Sequence, residues 1–393
     1  MKIPITKPYF GDEEKKAIIE PLESGWIVQG PKVAEFERLF AEFTGAKYAI
    51  ATASCTTALH LSLIAMGIGY GDQVILPAFT FVATANAVEY TGAIPVFCDI
   101  DLKTLNIDVE EILKKLTGKT KAIIPVHLFG LSADMKPILE IAEQHGLKVI
   151  EDAACGLGSY YDGRPVGTLG EAGCFSFHPR KAITTGEGGM ITTEDRDLMV
   201  TLRSLRDHGA SKSDLDRHVD LGGSLLPEFN RLGYNYRLTD IQGALGAAQM
   251  KNASKIVSAR IARAERYHQL LSKEEWLQIP RCPGGWVHSY QSYVGLLKPS
   301  KKTSLQEILL LNKKRNQIME RMASKGIAVR QGTHAVHTLG YYRKKYQLKP
   351  EDCMNSFIAE QLSLTLPLYV QMTDEEQDYV IQELKACAEL LVY

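Results

Sequence analysis

Lys181 sits where an amine can do chemistry. Residues 172–177 read as a short buried strand and residues 190–193 begin another, so the loop between them is pinned at both ends by packed structure. Such packing withdraws the amine from water, disfavours the ammonium form and lowers its pKa. A lysine needs this to attack a carbonyl, form an imine and then move a proton. A second group precedes it. Residues 147–150 form an apolar strand that ends in Glu151 and Asp152, and an acid at the carboxyl end of a parallel strand points into the crevice where α/β sheets bind ligands. A lone loop lysine is more often a solvated surface residue; the carboxylate is what argues for a site.

An amine and a carboxylate are the two protein groups that pyridoxal 5′-phosphate requires above all. The lysine makes the imine, and the acid keeps the pyridine nitrogen protonated so that the ring acts as an electron sink. Asp152 and Lys181 supply that pair. Together with the strand VIEDAA, the block FSFHPRKAITTGEGG and the later GYNYRLTDIQGALG at 233–246, they make the chain resemble, from about residue 4 to the C-terminus, the DegT/DnrJ/EryC1/StrS family of sugar aminotransferases.

The resemblance implies an α/β fold of the aspartate-aminotransferase-like type (fold type I). A large doubly wound, mostly parallel sheet domain would span residues 1–252 and a small C-terminal α/β domain residues 253–393. It implies pyridoxal 5′-phosphate as an internal aldimine on Lys181, pyridoxamine 5′-phosphate as the intermediate form, and Asp152 on the ring nitrogen. Thr56, Thr57 and Ser176 match residues that grip the cofactor phosphate, and Phe81 matches an aromatic that stacks on the ring. Asn235 matches an asparagine that reaches the neighbouring subunit's cofactor, which implies a homodimer with shared active sites. Trp26, His178, Arg237, His334 and His337 match positions on the substrate side. Cys155 is a departure: relatives carry His or Gln there as a donor to the phenolic oxygen, and a thiol is a weak donor. The reaction implied moves an amino group from L-glutamate to a keto group of a nucleotide-linked deoxysugar, for amino-sugar and surface polysaccharide biosynthesis. The alternatives within the fold are a pyridoxamine-phosphate-dependent sugar dehydratase, whose kind carries histidine at the lysine position, and a non-catalytic cofactor-binding regulator.

Elements able to hold these groups are legible along the chain. Asp12 is placed as an N-cap, and Pro31 opens a helix with Val33, Phe36, Leu39, Phe40 and Phe43 on one face. Strand 48–51 leads through a small-residue turn into a helix whose exposed N–H groups make an anion site, although plain capping by Ser54 or Thr56 explains the same residues. The next unit, QVILPAFTFVATANAVEYTGAIPVFCDID, alternates strand, helix and strand in the doubly wound pattern, with Phe79 assigned to the core. Residues 134–145 give a crossover helix stopped by Gly146. His127, at a strand end, is read as satisfied by hydrogen bonds. Residues 210–232 read as a polar surface insert, Thr239 caps a long helix, and from about residue 252 another helix bridges to the smaller unit.

Composition bounds the rest. At 393 residues a large core can be buried. A net charge of -1 gives no footprint for nucleic acid or anionic lipid. With no apolar run of membrane length and no leader-like start, the expected location is cytoplasmic. Seven cysteines without a C-x-x-C pair point to reduced thiols, and the histidines show no metal-ligand pattern. The glycines at 67, 69 and 71 precede a strand instead of following one, so a nicotinamide fingerprint fails on context.

Overall fold

The computed structural model describes residues 1–211, 226–299 and 304–391; most of the insert expected at 210–232, namely 212–225, lies outside the described residues. In chain order the strands are β1 (Tyr48–Thr52), β2 (Gln73–Pro77), β3 (Phe79–Thr80), β4 (Ile94–Cys98), β5 (Thr120–Ile123), β6 (Lys148–Asp152), β7 (Tyr160–Tyr161), β8 (Arg164–Pro165), β9 (Ala172–Ser176), β10 (Gly189–Thr193), β11 (Leu277–Gln278), β12 (Tyr293–Leu297), β13 (His334–Ala335) and β14 (Ser363–Leu366). Seven form one sheet in the order β1-β10-β9-β6-β5-β2-β4. Strand β10 runs antiparallel to both neighbours, and the remaining pairs are parallel. The sheet is covered on both faces, which is why these strands read as near-continuous apolar runs instead of alternating ones. This is the mostly parallel, doubly wound sheet expected.

The order places the carboxyl ends of β1, β2, β6 and β9 along one edge, where open α/β sheets bind ligands. The helix Cys55–Ala65 starts there directly after β1. The helix Met135–His145 crosses from β5 to β6 and stops at Gly146, whose φ is 63°.

A second core forms around the antiparallel sheet β11-β12-β14, with Tyr267, Tyr293 and Leu364 packed inside it. The chain passes between the two cores on both sides of residue 252. Ile3 bridges to Ile327 and packs in the second core, whereas β13 pairs with β3 and Val336, Tyr342 and Cys353 pack in the first. The mouth of any cavity at the sheet edge is therefore walled by both ends of the chain.

Two sequence motifs meet through one buried acid. Asp240 Oδ1 accepts the N–H of Gly30 at 2.7 Å and of Val33 at 3.0 Å, and Oδ2 that of Lys32 at 3.0 Å, capping the helix Pro31–Thr44. A Cβ on Gly30 would lie 1.9 Å from Trp26 Nε1, so the Trp-to-Gly spacing has a packing cause. The first helix starts at Asp12, capped at Gly11, whose N–H donates to Glu14 Oε2 at 2.7 Å. The expected cap at Asp12 is thus corrected by one residue: the acid that satisfies the terminus is Glu14, reaching back. Thr239 caps the helix Asp240–Lys251 as expected, accepting the Gln242 N–H at 3.3 Å.

Candidate active site

A cavity of about 500 Å³ opens at the carboxyl ends of the strands. Thr56 enters it from the first turn of the helix after β1, and Phe81 from the turn after β3. Asp152 comes from the end of β6 with Cys155 just beyond, and Ser176 from the end of β9. His178 and Lys181 come from the loop joining β9 to β10. A second cavity of about 380 Å³, beside Gln29 and Arg206, holds none of the expected site residues.

Asp152 is buried, yet only half engaged. Its Oδ2 accepts the Thr84 hydroxyl at 2.8 Å and its Oδ1 the Ala154 N–H at 3.1 Å. Burial pushes its carboxyl above the usual range, and those two donors only partly oppose the shift. Lys181 Nζ lies 3.2 Å from Cys155 Sγ. Burial lowers the lysine as expected, but the Cys155 sulfur beside it, with Cys55 and Asp152 in the same cavity, outweighs burial and the net direction is up. The expectation of a depressed lysine is corrected on this ground: in the protein without a cofactor, nearby acidic groups favour the ammonium form.

The turn at Ser54 divides its labour. Ser54 Oγ accepts the Thr57 N–H at 3.1 Å, while the Thr57 hydroxyl donates to Ser54 O at 2.7 Å and accepts the Ser54 N–H at 3.0 Å. Thr57 is thus committed to the cap, and Thr56 is the hydroxyl left facing the cavity. A Cβ on Gly189 would stand 2.4 Å from the Ser54 carbonyl carbon, so glycine lets β10 pass this close beneath the turn.

The donor set suits a phosphate-bearing heterocycle with a carbonyl. Thr56 and Ser176 present hydroxyls beside a helix N-terminus, Asp152 presents a buried carboxylate and Lys181 an amine. Phe81 is 63 % exposed while Phe79, two residues earlier, is fully buried, so one ring stands free over the cavity and the other fills the core.

The remaining expected residues do not line this cavity. Thr57 serves the cap. Asn235 is exposed and its backbone bridges to Asp207, with Arg237 ion-paired to the same aspartate. Trp26 packs against Gly30, its Nε1 donating to Gln29 O at 3.4 Å. His334 lies on β13 with Nδ1 3.6 Å from Glu360. His337 is fully buried, with Nε2 3.3 Å from Pro350 O and its pKa lowered by burial. His127 has Nε2 2.8 Å from Glu151 and takes the Ala133 N–H at 3.1 Å on Nδ1.

Sequence reasoning missed Thr84, Arg330 and Gln291, all on the cavity wall. Thr84 had a signal, one helical turn after Phe81 on the same face. Arg330 and Gln291 had none, because only the docking of the second core brings them in.

Comparison with known proteins agrees with this geometry. The family model described as the DegT/DnrJ/EryC1/StrS aminotransferase family matches residues 8–385. The chain is 39% identical over 383 residues to the spore coat polysaccharide biosynthesis protein SpsC of Bacillus subtilis (strain 168), covering 98% of this chain and 96% of the other. It is 37% identical over 385 residues to the GDP-perosamine synthase of Caulobacter vibrioides, covering 98% and 97%. Among solved structures, the putative sugar aminotransferase Spr1654 of Streptococcus pneumoniae in its PMP form superposes with a TM-score of 0.90 at 28% identity, covering 100% of both chains. That protein is also known in a PLP form, in keeping with the cofactor of the family. With a lysine, a buried strand-end carboxylate and a phosphate-type helix terminus around one cavity, and a match over nearly the whole length, this chain belongs to the DegT/DnrJ/EryC1/StrS aminotransferase family.

Proposed function

We propose that this chain moves the amino group of L-glutamate to a keto group of a nucleotide-linked deoxysugar, for amino-sugar and polysaccharide biosynthesis. The observation that carries the reading is the convergence of the Lys181 amine and the Asp152 carboxylate on one cavity at the carboxyl ends of β6 and β9. The relatives named for spore coat polysaccharide and GDP-perosamine support the substrate class.

When bound, pyridoxal phosphate supplies a carbonyl that captures amines covalently and a ring that spreads the charge left by a departing proton. Lys181 would anchor the cofactor, and its Nζ, once free, would take up and return the proton of the bound substrate. Asp152 is held by Thr84 and Ala154 in a buried site whose low polarity would strengthen a hydrogen bond from a protonated ring nitrogen. Thr56 and Ser176, on the cavity wall, would hold the phosphate, and Phe81 would cover one ring face. Cys155, 3.2 Å from Lys181 Nζ on the wall of the same cavity, stands at the position that carries His or Gln in relatives.

Asn235 is exposed and does not line its own cavity, which suits a role in a second subunit's site. Ile19, Leu22, Ile27 and Val28 leave apolar surface on the N-terminal segment for such a homodimer. The cofactor domain ending near residue 252 and a cytoplasmic location belong to the same reading; no helix among the described residues is long and apolar enough to cross a membrane.

The test is incubation of the loaded protein with glutamate and a panel of keto-sugar nucleotides, read by product mass. An amino sugar nucleotide from one panel member is expected. A protein that binds pyridoxal phosphate but aminates no member, and forms no 2-oxoglutarate, would refute the reading.

A further inference from the structure

One thiol in this chain meets an amine instead of a carbonyl. Cys155 Sγ accepts from Lys181 Nζ at 3.2 Å, and both side chains are half-buried on the wall of the same cavity. The backbone under each is held. Gly156 N donates to Ala153 O at 2.8 Å and Ser159 N to Gly156 O at 2.9 Å. A Cβ on Gly156 would lie 2.6 Å from Val166 Cγ2, so glycine lets the turn after Cys155 press this closely on its neighbour. Lys181 N donates to His178 O at 2.8 Å, and the carbonyl of Arg180 just before it accepts Gln291 Nε2 at 2.7 Å.

The other six cysteines are engaged differently. Cys55 donates to Cys174 O at 3.5 Å, Cys98 to Asp108 O at 3.7 Å and Cys282 to Trp286 O at 3.5 Å. Cys353 donates to Phe97 O at 3.8 Å and Cys387 to Glu383 O at 3.2 Å, while Cys174 shares a hydrogen with the Ser62 hydroxyl at 3.4 Å. Burial pushes these thiols up, which leaves little of the reactive thiolate on them at neutral pH.

An amine in contact also changes where oxidation leads. A sulfenic acid without a partner goes on to sulfinic acid, whereas one that faces a nitrogen can condense to a sulfur–nitrogen bond. Oxidation itself readies the amine. In the reduced protein the Cys155 sulfur is the foremost influence raising the Lys181 pKa against burial. Converting that sulfur to a sulfenic acid weakens the influence, and burial then favours the neutral amine that attacks.

We propose that Cys155 and Lys181 form a redox modification site, in which hydrogen peroxide converts the thiol to a sulfenic acid and the lysine amine closes on the sulfur. In the first step the Cys155 thiolate attacks one peroxide oxygen and the O–O bond breaks. The sulfur is oxidised, the peroxide is reduced, and the second oxygen leaves as water with the thiol proton. In the second step the Nζ lone pair forms the S–N bond, the S–O bond breaks, and the hydroxyl leaves as water with an amine proton. A small thiol reverses the closure by attacking the sulfur and returning a proton to Nζ, and a second thiol then frees Cys155. Closure needs no cofactor. That it would switch off amino transfer rests on the aminotransferase reading, because the bond occupies the amine that reaction uses.

Cofactor-free protein treated with hydrogen peroxide should lose one titratable thiol and yield a tryptic peptide that joins residues 155 and 181, uncut after Lys181 and lighter than its two parts by two hydrogens. Dithiothreitol should restore both the thiol and the cut. Lys181→Ala removes the partner, so its Cys155 should take up dimedone, which captures sulfenic acids, and without dimedone should gain two oxygens. Protein loaded with pyridoxal phosphate, which engages the amine, should behave like that variant, and protein loaded with pyridoxamine phosphate like the cofactor-free wild type. Closure in both loaded forms alike supports the bond and counts against the aminotransferase reading. Cys155 recovered unmodified from the cofactor-free wild type overturns the proposal. So does Cys155 bearing dimedone or two oxygens while Lys181 is cut normally, and so does the loss of two thiols with a peptide joining residues 55 and 155.

Discussion

Glu151 and Asp152 are consecutive on β6, equally acidic and equally buried, yet they stand in opposite environments. Strand alternation sends them to opposite faces. Glu151 accepts from the backbone N–H of Gly167 at 2.6 Å, Leu169 at 2.7 Å and Gly170 at 2.8 Å, with His127 Nε2 at 2.8 Å. Asp152 has two donors and a cavity. For Glu151 burial raises the pKa, but His127 and the loop N–H groups outweigh it and the net direction is down; for Asp152 burial wins and the direction is up. A carboxylate with every lone pair engaged holds the fold, whereas one left short of donors awaits a ligand. The supply of donors thus decides which of two adjacent acids is available for chemistry.

The largest effect that would sharpen this contrast is on rate. Lys181→Ala should lower turnover by on the order of 10⁶-fold, as loss of a nucleophile does elsewhere. Asp152→Ala should cost on the order of 10²- to 10³-fold through the lost charge on the ring nitrogen. Glu151→Gln should leave the rate per folded molecule within severalfold of wild type, measured after titrating active sites by cofactor content. A Glu151→Gln enzyme as impaired as Asp152→Ala would break the comparison.

Stability should respond in the opposite order. Glu151→Ala strands three loop N–H groups and His127 in the interior and is expected to cost about 3–5 kcal/mol in urea unfolding of the cofactor-free protein. Asp152→Asn removes a carboxylate that is unfavourably ionised at neutral pH, so its unfolding midpoint should equal or exceed that of wild type. The pH dependence carries the same sign logic. The folded pKa of Glu151 lies below its ordinary 4.5, so its contribution is present above that pH and is lost as pH falls through the folded value. The folded pKa of Asp152 lies above its ordinary 3.8. Its ionisation therefore costs stability at neutral pH, and the cost is relieved as pH falls through the folded value. Subtracting the stability-pH curve of Glu151→Gln from wild type should leave a difference that shrinks only in the acid range.

Much of this was legible from residue types. The doubly wound order, the helix opening at Pro31, the cap at Thr239 and the separation of Phe79 from Phe81 followed from periodicity and turn chemistry, because each depends on residues a few positions apart. Partnerships made across the fold were not legible. That Thr57 is spent on its own cap while Thr56 is free, that His337 lies sealed against Pro350, and that Asp240 caps a helix beginning at Pro31 depend on which elements dock together. The same limit explains the lysine. Sequence can show that a loop will bury Lys181, but the sign of its pKa shift is set by sulfur and carboxylate neighbours that other strands deliver.

The smallest effect concerns that sulfur. Cys155 Sγ at 3.2 Å is the nearest polar partner of the Lys181 amine and heads the influences that raise its pKa against burial. Cys155→Ala should leave desolvation less opposed, shift the lysine downward and enlarge the neutral fraction able to attack the cofactor carbonyl. Uptake of pyridoxal phosphate by the cofactor-free protein at neutral pH, followed by the growth of cofactor absorbance, should then quicken severalfold, with the difference from wild type vanishing at high pH where both amines are neutral. Uptake slowed at every pH would show that the thiol contributes more to holding the cofactor than to charging the lysine. Residue 155 would then stand with Asp152 among the ligand-facing groups and not with Glu151 among the structural ones.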